Sequence, residues 1–241
     1  EGDEGGRFKN PSSVIVAPGG RELVVVDFGK HQLQCFDLET RRHLWTVGEE
    51  GSGAGQLDHP TDATHTRDGG LAVVDFKNHR ISLRTAAGEP AGTLGSQGSG
   101  DGRLNQPMSI ACCPRTGRLL VADCDNHRIA IWDENGVWVG TIGAGEGAGE
   151  GQLTRPMSVA VDGSSGLVLV GEGGNARVSV FREGEGGRYT FVRCLGEEGV
   201  FGYEAFLALA VDAATGAIAV YSDQKKTAWV QAGPLLAALT P

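Results

Sequence analysis

The sequence is poor in the features that build helical, membrane-spanning or secreted proteins. Phe, Trp and Tyr make up only 6% of its 241 residues, whereas Gly occurs 39 times. Apolar periodicity of helical length is nearly absent, and no run of 18 or more apolar residues predicts a transmembrane span. No charged and then apolar leader opens the chain, so no signal peptide is expected. High glycine content with many short apolar runs indicates an all-β fold rich in tight turns.

Cysteine usage and charge also limit the function classes. The formal net charge is −9, which disfavours a protein that neutralises many nucleic-acid phosphates. No C-x-x-C pair occurs among the cysteines, which predicts buried free thiols in a reducing compartment and a cytoplasmic location. The cysteines are Cys35, Cys112, Cys113, Cys124 and Cys194.

An internal repeat decides the predicted fold. Four segments read Leu or Phe, two further residues and Pro, at residues 8–11, 57–60, 104–107 and 153–156. A degenerate fifth copy starts at Tyr203. The spacing of nearly fifty residues is typical of a four-stranded propeller blade.

Each copy has the same internal pattern. An alternating strand follows the proline, a continuously apolar second strand ends in an acid, a third strand alternates, and a short fourth strand ends in glycine. The second strand should be covered on both faces and the third should be partly exposed. We therefore predict one β-propeller domain with five blades, at residues 1–48, 49–95, 96–143, 144–196 and 197–241. Either the ring closes with five blades, or a sixth blade lies outside this chain.

Two turns between second and third strands resemble the signature of the NHL repeat. They read Asp75-Phe76-Lys77-Asn78-His79-Arg80 and Asp123-Cys124-Asp125-Asn126-His127-Arg128, and the other copies keep parts of this pattern. The resemblance covers essentially the whole chain and implies a β-propeller. It also implies a role like that of the C-terminal module of tripartite-motif ubiquitin ligases, which recognise substrate proteins or RNA hairpins.

Turn chemistry accounts for most of the signature. An Asp at a turn accepts hydrogen bonds from nearby backbone N–H groups, and an Arg five positions later can pair with it. The histidine recurs on successive blades, at His31, His79 and His127, and we expect it to pack within each turn rather than bind a metal. No metal and no cofactor are therefore predicted.

The second-to-third-strand turns and the loops between blades lie at one end of an up-and-down propeller, and we call this end the turn face. Acids outnumber bases there, 18 to 11, which favours basic segments of a partner. A binding site should use residues that differ between copies or flank the signature. The candidate partner-binding residues are Phe28, Lys30, Phe76, Lys77, Asn78, Cys124, Asp125, Asn126, Gln224 and Lys225.

These observations favour a non-enzymatic platform that binds a protein or peptide partner, without membrane contact. The sequence contains no G-x-S-x-G, H-E-x-x-H, P-loop or EF-hand motif, so catalytic residues are not expected. Two alternatives stay open. One is an RNA-binding propeller, since Phe28 with Lys30 and Phe76 with Lys77 offer stacking and charge. The other is a propeller hydrolase or lyase.

Overall fold

The computed structural model describes residues 6–195, 207–211, 217–222 and 227–231, and they form an all-β propeller, as predicted. Helix in these residues is limited to three 3-10 turns of three residues each, at Phe28–Lys30, Cys124–Asn126 and Glu185–Gly187. No helix among them is long and apolar enough to span a membrane.

The strands follow one another along the chain in blade order. Blade 1 contains β1 (Pro11–Val16), β2 (Glu22–Asp27), β3 (Gln32–Asp37) and β4 (His43–Val47). Blade 2 contains β5 (Pro60–His65), β6 (Leu71–Asp75), β7 (Arg80–Arg84) and β8 (Pro90–Leu94). Blade 3 contains β9 (Pro107–Cys112), β10 (Leu119–Asp123), β11 (Arg128–Trp132) and β12 (Trp138–Ile142). Blade 4 contains β13 (Pro156–Val161), β14 (Leu167–Glu172), β15 (Arg177–Glu183) and β16 (Tyr189–Leu195). Blade 5 contains β17 (Leu207–Val211), β18 (Ile218–Ser222) and β19 (Thr227–Gln231).

Each sheet is a simple antiparallel meander in chain order. Four sheets have four strands, and the fifth has three strands among the described residues. The first strands of successive blades lie side by side, so the five sheets stand around one axis. Five sheets agree with the five repeats in the sequence.

Burial follows the predicted pattern in the second strand but not in the third. All residues of β6 and β10 are buried, as expected for strands covered on both faces. The third strand, predicted to be partly exposed, is mostly buried in β7, β11 and β15. The exposed outer position belongs to the fourth strand, such as β8. The alternation of the third strand reflects polar side chains that are buried between blades, such as Ser82 and Ser179.

The hydrophobic core lies between blades rather than within them. One cluster joins Ala122 and Ile129 of blade 3 to Val159 and Val168 of blade 4, and comparable clusters occupy the other described junctions. The leucine that starts repeats 2, 3 and 4 plugs the junction from the turn face. This leucine is completely buried at Leu57, Leu104 and Leu153.

The face of blade 1 that points away from blade 2 is less covered than the same face of blades 3 and 4. Val14 of β1 is 58% exposed, whereas Ile110 and Val159 at the matching positions are 4% and 5% exposed. Val16 on the same face is 51% exposed. A closed ring requires another blade to cover this face, either the fifth blade or a sixth one.

We expect removal of one leucine plug to destabilise the whole propeller. Leu104→Ala leaves a cavity between blades 2 and 3 and should lower the free energy of unfolding by about 2–5 kcal/mol in urea denaturation. The control is Leu44→Ala, because Leu44 is 46% exposed on β4; its effect should stay within about 0.5 kcal/mol. Equal effects of the two changes would show that the junction does not depend on the plug.

Candidate functional site

A buried carboxylate ends each second strand at the turn face. It accepts hydrogen bonds from backbone N–H groups of the loop that precedes its own blade; for example, the N–H of Asn105 donates to Oδ1 of Asp123 at 2.7 Å. Because a buried carboxylate needs such donors, it fixes the course of the loop. The acid is fully buried in four copies, at Asp27, Asp75, Asp123 and Glu172.

The arginine five positions later clamps the same loop. In blade 3, Nε of Arg128 donates to Oδ2 of Asp123 at 2.8 Å. Its Nη2 donates to the carbonyl oxygens of Gly100 and Arg103 at 2.9 and 2.8 Å. A guanidinium has five donors in one plane, so it can compensate a buried acid and hold a loop at once. The arrangement recurs at Arg80 and Arg177.

The asparagine of the signature links the acid to the loop as well. Nδ2 of Asn126 donates to Oδ2 of Asp123 and to the carbonyl oxygen of Gly98, each at 2.8 Å. Burial raises the pKa of the Asp123 carboxyl, whereas its hydrogen bonds, including those from Asn126 and Arg128, act in the opposite direction. The same two asparagine contacts occur at Asn78 and Asn175.

The histidine of the signature reaches forward to the next blade. His79 has a left-handed backbone, with φ 51°, and its Nδ1 accepts a hydrogen bond from the N–H of Gln106 at 3.0 Å. In the fourth copy Ala176 keeps this conformation but brings no acceptor. We call the acid, asparagine, histidine and arginine of one turn the latch. The histidine bond is repeated from the N–H of His59 to His31 and from the N–H of Arg155 to His127, each at 3.2 Å.

Three predicted partner-binding residues are engaged inside the protein. Asn78 and Asn126 belong to latches, and Cys124 is only 3% exposed. Burial raises the pKa of the Cys124 thiol to about 11, so the thiol is neither accessible nor ionised near neutral pH. The structure does not favour contact of these three side chains with a partner, and their role in binding stays a prediction.

The remaining described candidates lie at the surface of the turn face. Nζ of Lys77 lies 5.1 Å from the centre of the Phe76 ring, and Lys77 itself is exposed. Phe28 is half-buried and meets the ring of His59 edge to face, with centroids 4.5 Å apart. Half-buried positions are also found for Lys30 and Asp125. Gln224 and Lys225 lie outside the described residues.

Charge on the described part of the turn face is mixed. Much of the predicted acidic excess comes from residues outside the described ranges, namely Glu1, Asp3, Glu4, Glu197, Glu198, Glu204 and Asp223. The described loops expose acids and bases together, at Glu50, Asp101, Glu146, Glu150, Lys9, Arg103 and Arg155.

A second polar site lies on the axis, where the first strands face a cavity of about 450 Å³. Asp62 of β5 lies there, at the position that blades 1, 3 and 4 fill with serine. Its carboxylate accepts hydrogen bonds from Ser13 Oγ at 2.6 Å, Ser109 Oγ at 2.8 Å and the N–H of Ile110 at 3.0 Å. Burial raises the pKa of this carboxyl. Asp62 therefore ties together the first strands of three blades.

A third polar cluster was not predicted. His31, Asp58 and His59 offer ligand atoms within 4.8 Å of one another and form the one such group with metal-binding potential among the described residues. The sequence pattern did not indicate it because only His31 belongs to the signature, and His59 follows 28 residues later. The sequence difference that could have indicated the cluster lies at two loop positions before the proline. The loop before blade 2 has Asp58 and His59 there, whereas the loop before blade 3 has Asn105 and Gln106.

No family model and no curated protein matches the sequence. Solved structures match most of the chain at low identity. The hydrazine synthase of Kuenenia stuttgartiensis is 16% identical with a TM-score of 0.63. The WD40 repeats of RRP9 are 14% identical with a TM-score of 0.62. The periplasmic gluconolactonase PpgL of Pseudomonas aeruginosa is 16% identical with a TM-score of 0.63.

These likenesses establish the fold alone. They cover 92%, 94% and 89% of this chain, which spans 59%, 64% and 66% of the three proteins. The chain is a β-propeller. Its resemblance to NHL repeats and to tripartite-motif ligases stays a prediction.

The expectation of a non-enzymatic protein is corrected by the same comparison. Two of the three propellers are enzymes by name, a gluconolactonase and a hydrazine synthase. The expectation relied on short motifs, but a propeller collects site residues from separate strands, so missing motifs do not exclude catalysis.

We expect the latch acid to support stability and its exposed neighbour to be dispensable. Asp123→Ala should lower the free energy of unfolding by about 1–3 kcal/mol, because it leaves buried donors of Asn126 and Arg128 without their acceptor. Lys77→Ala should change it by less than about 0.5 kcal/mol. Urea denaturation of both variants gives the comparison. A silent Asp123→Ala together with an unfolded Lys77→Ala would reverse the assignment of structural and surface roles.

Proposed function

We propose that this chain is a binding module that holds a protein or peptide partner on its turn face. The observation that carries the proposal is the contrast within each turn. The latch residues bond inside the protein, whereas residues between the acid and the asparagine reach the surface in blade 2, at Phe76 and Lys77, and in blade 3, at Asp125. Latch residues repeat because every blade builds the same turn. The surface residues differ between blades, which is what a specific site requires.

Preorganisation supports this use of the turn face. The three described inter-blade loops are each held by the carboxylate, asparagine and arginine of the following blade and by a histidine of the preceding blade. Loops fixed in this way lose little conformational freedom when a partner binds. The entropy cost of ordering the loops therefore offsets less of the interaction energy.

The exposed groups define the chemistry of the partner. Phe28 and Phe76 supply apolar ring surface, and Lys77 adds a cation beside the second ring. The loops expose acids at Glu50, Asp101, Glu146 and Glu150, interspersed with the bases Lys9, Arg103 and Arg155. We expect a partner segment that combines basic residues, which meet these acids, with apolar residues that cover the rings. In a cytoplasmic protein of the tripartite-motif type, which the repeats resemble, such a module would select the substrate of a RING ubiquitin ligase.

Selection of peptides from a phage-displayed library, followed by affinity measurement, tests the proposal. Lys77→Ala should weaken the selected peptide about tenfold or more, because the variant removes a surface cation without touching a latch. Arg115→Ala is the matched control, because it removes a cation from a turn at the opposite end of the propeller and should leave the affinity unchanged. Circular dichroism melts should show all variants equally folded.

Two results would contradict a protein or peptide partner on the turn face. One is equal loss of peptide binding in Lys77→Ala and Arg115→Ala. The other is sub-micromolar binding of generic single-stranded RNA at physiological salt, which would favour the RNA-binding alternative over a protein partner.

A second candidate function is hydrolysis in the axial cavity. The observation that favours it is Asp62, a carboxylate facing a polar cavity at the one place where the repeat carries an acid instead of serine. Since a neighbour in fold is named a gluconolactonase, the test is hydrolysis of glucono-δ-lactone followed by pH-stat titration. Under this candidate the protein accelerates acid release from the lactone above the uncatalysed rate, and Asp62→Asn returns the release to that rate while keeping the melting temperature of the parent. Equal rates with and without protein would remove lactone hydrolysis as a function.

A further inference from the structure

The junction between blades 1 and 2 differs from the next two junctions at the two residues before the proline. These residues are Asp58 and His59 here, Asn105 and Gln106 at the second junction, and Thr154 and Arg155 at the third. The backbone is the same in all three, because His59, Gln106 and Arg155 share a left-handed φ of 52°, 52° and 49°. Only the chemistry of the side chains changes.

This change places two imidazoles and a carboxylate together. Oδ1 of Asp58 lies 2.6 Å from Nδ1 of His59 and 3.5 Å from Nδ1 of His31. The two imidazole rings stand edge to face with centroids 4.4 Å apart. The side chains of His31, Asp58 and His59 are 13%, 31% and 33% exposed. An ion can therefore reach the cluster from solvent, and the surrounding loop limits the motion of the three side chains.

We propose that His31, Asp58 and His59 form a binding site for one divalent transition-metal ion, of which zinc is the best match. Two imidazole nitrogens and a carboxylate oxygen are ligands that zinc accepts, and three protein ligands leave a fourth position for water or a bound ligand. Bonds of about 2.0–2.2 Å in a tetrahedron put neighbouring ligand atoms about 3.3 Å apart. The 3.5 Å separation already suits this geometry. The 2.6 Å separation has to widen, which the partly exposed His59 side chain permits.

Ion binding here acts on the junction itself. Nδ1 of His31 accepts the hydrogen bond from the N–H of His59 at 3.2 Å. An ion bound to Nδ1 of His31 takes the lone pair that accepts this hydrogen bond, so it replaces the single hydrogen bond with coordination to both blades. A ligand that binds only the folded state raises its stability, so zinc should raise the melting temperature of the propeller.

Cysteine thiolates are the alternative ligands for zinc, but the burial of the cysteines disfavours them. Cys35 and Cys124 are buried, and burial raises the pKa of each thiol to about 11. Zinc binds thiolates rather than thiols. Among the described residues no group of three potential ligands includes a cysteine.

Titration of the whole chain with ZnCl2 and with CoCl2 tests the site. Competition with a chromophoric chelator gives the zinc affinity, and the visible d–d bands of cobalt report the ligand set. We expect one ion per chain, with nitrogen and oxygen ligation, and a zinc-dependent rise in melting temperature. Thiolate-to-cobalt charge-transfer bands would overturn the assignment, because they would place the ion on cysteines.

The neighbouring junction supplies the matched variants. His59→Gln and Asp58→Asn copy the residues Gln106 and Asn105, so the fold should tolerate both. Each variant should bind zinc at least about tenfold more weakly, a loss of about 1.4 kcal/mol or more. The control His43→Gln alters an exposed histidine on β4 and should bind zinc as the parent does. Unchanged zinc affinity in both folded junction variants, or equal loss in the control, would overturn the proposal.

Discussion

A buried carboxylate at the end of each second strand is the interaction on which the described propeller depends. An ionised group without solvent is strongly unfavourable unless donors surround it. In blades 2 to 4 those donors are an arginine, an asparagine and the backbone of the preceding loop, and in blade 1 they are backbone N–H groups of residues 9 and 10. If any of these donors is removed, the buried charge loses a hydrogen bond that its apolar surroundings cannot replace. Hence the acid determines where the loop runs, and the loop in turn brings the buried leucine into the junction between blades.

This dependence makes the two ends of the propeller unequal. At the turn face the junctions between blades 1 and 2, 2 and 3, and 3 and 4 each have a latch bond that crosses between segments distant in sequence. The opposite end relies on short turns and on fewer ion pairs, of which Arg67 with Glu134 is about half exposed and contributes little to stability, whereas Arg118 with Glu183 is largely buried. A rigid face suits binding because its groups are already in place before a partner arrives. The stability provided by the latch is thus also what makes the turn face a usable surface.

The repeat was enough to predict the fold, because a period near fifty residues with four apolar runs per copy has few architectural solutions. It also indicated the pairing of Asp123 with Arg128, since both flank one turn. It could not show that third strands are covered, because their burial depends on how a neighbouring blade packs. The hydrogen bonds of Asp62 join residues 49 and 47 positions apart, and the meeting of His31 with His59 depends on the course of a loop. These contacts between residues distant in sequence follow from the arrangement of blades around the axis, which a local sequence pattern does not encode.

The positions that depart from the repeat are therefore the informative ones. Since the latch and the leucine plug stabilise each junction, side chains beside them can change with little effect on folding. Asp62 replaces a serine on the axis, Asp58 and His59 replace neutral or basic residues at one junction, and Lys77 has no counterpart in blade 4. Each replacement adds a charge or an imidazole where the sister blades lack that chemistry, and each lies at a surface, a cavity or a cleft. A residue that builds the turn common to all blades is expected in most copies. Residues confined to one copy in such places are better explained by something that the protein binds or acts on.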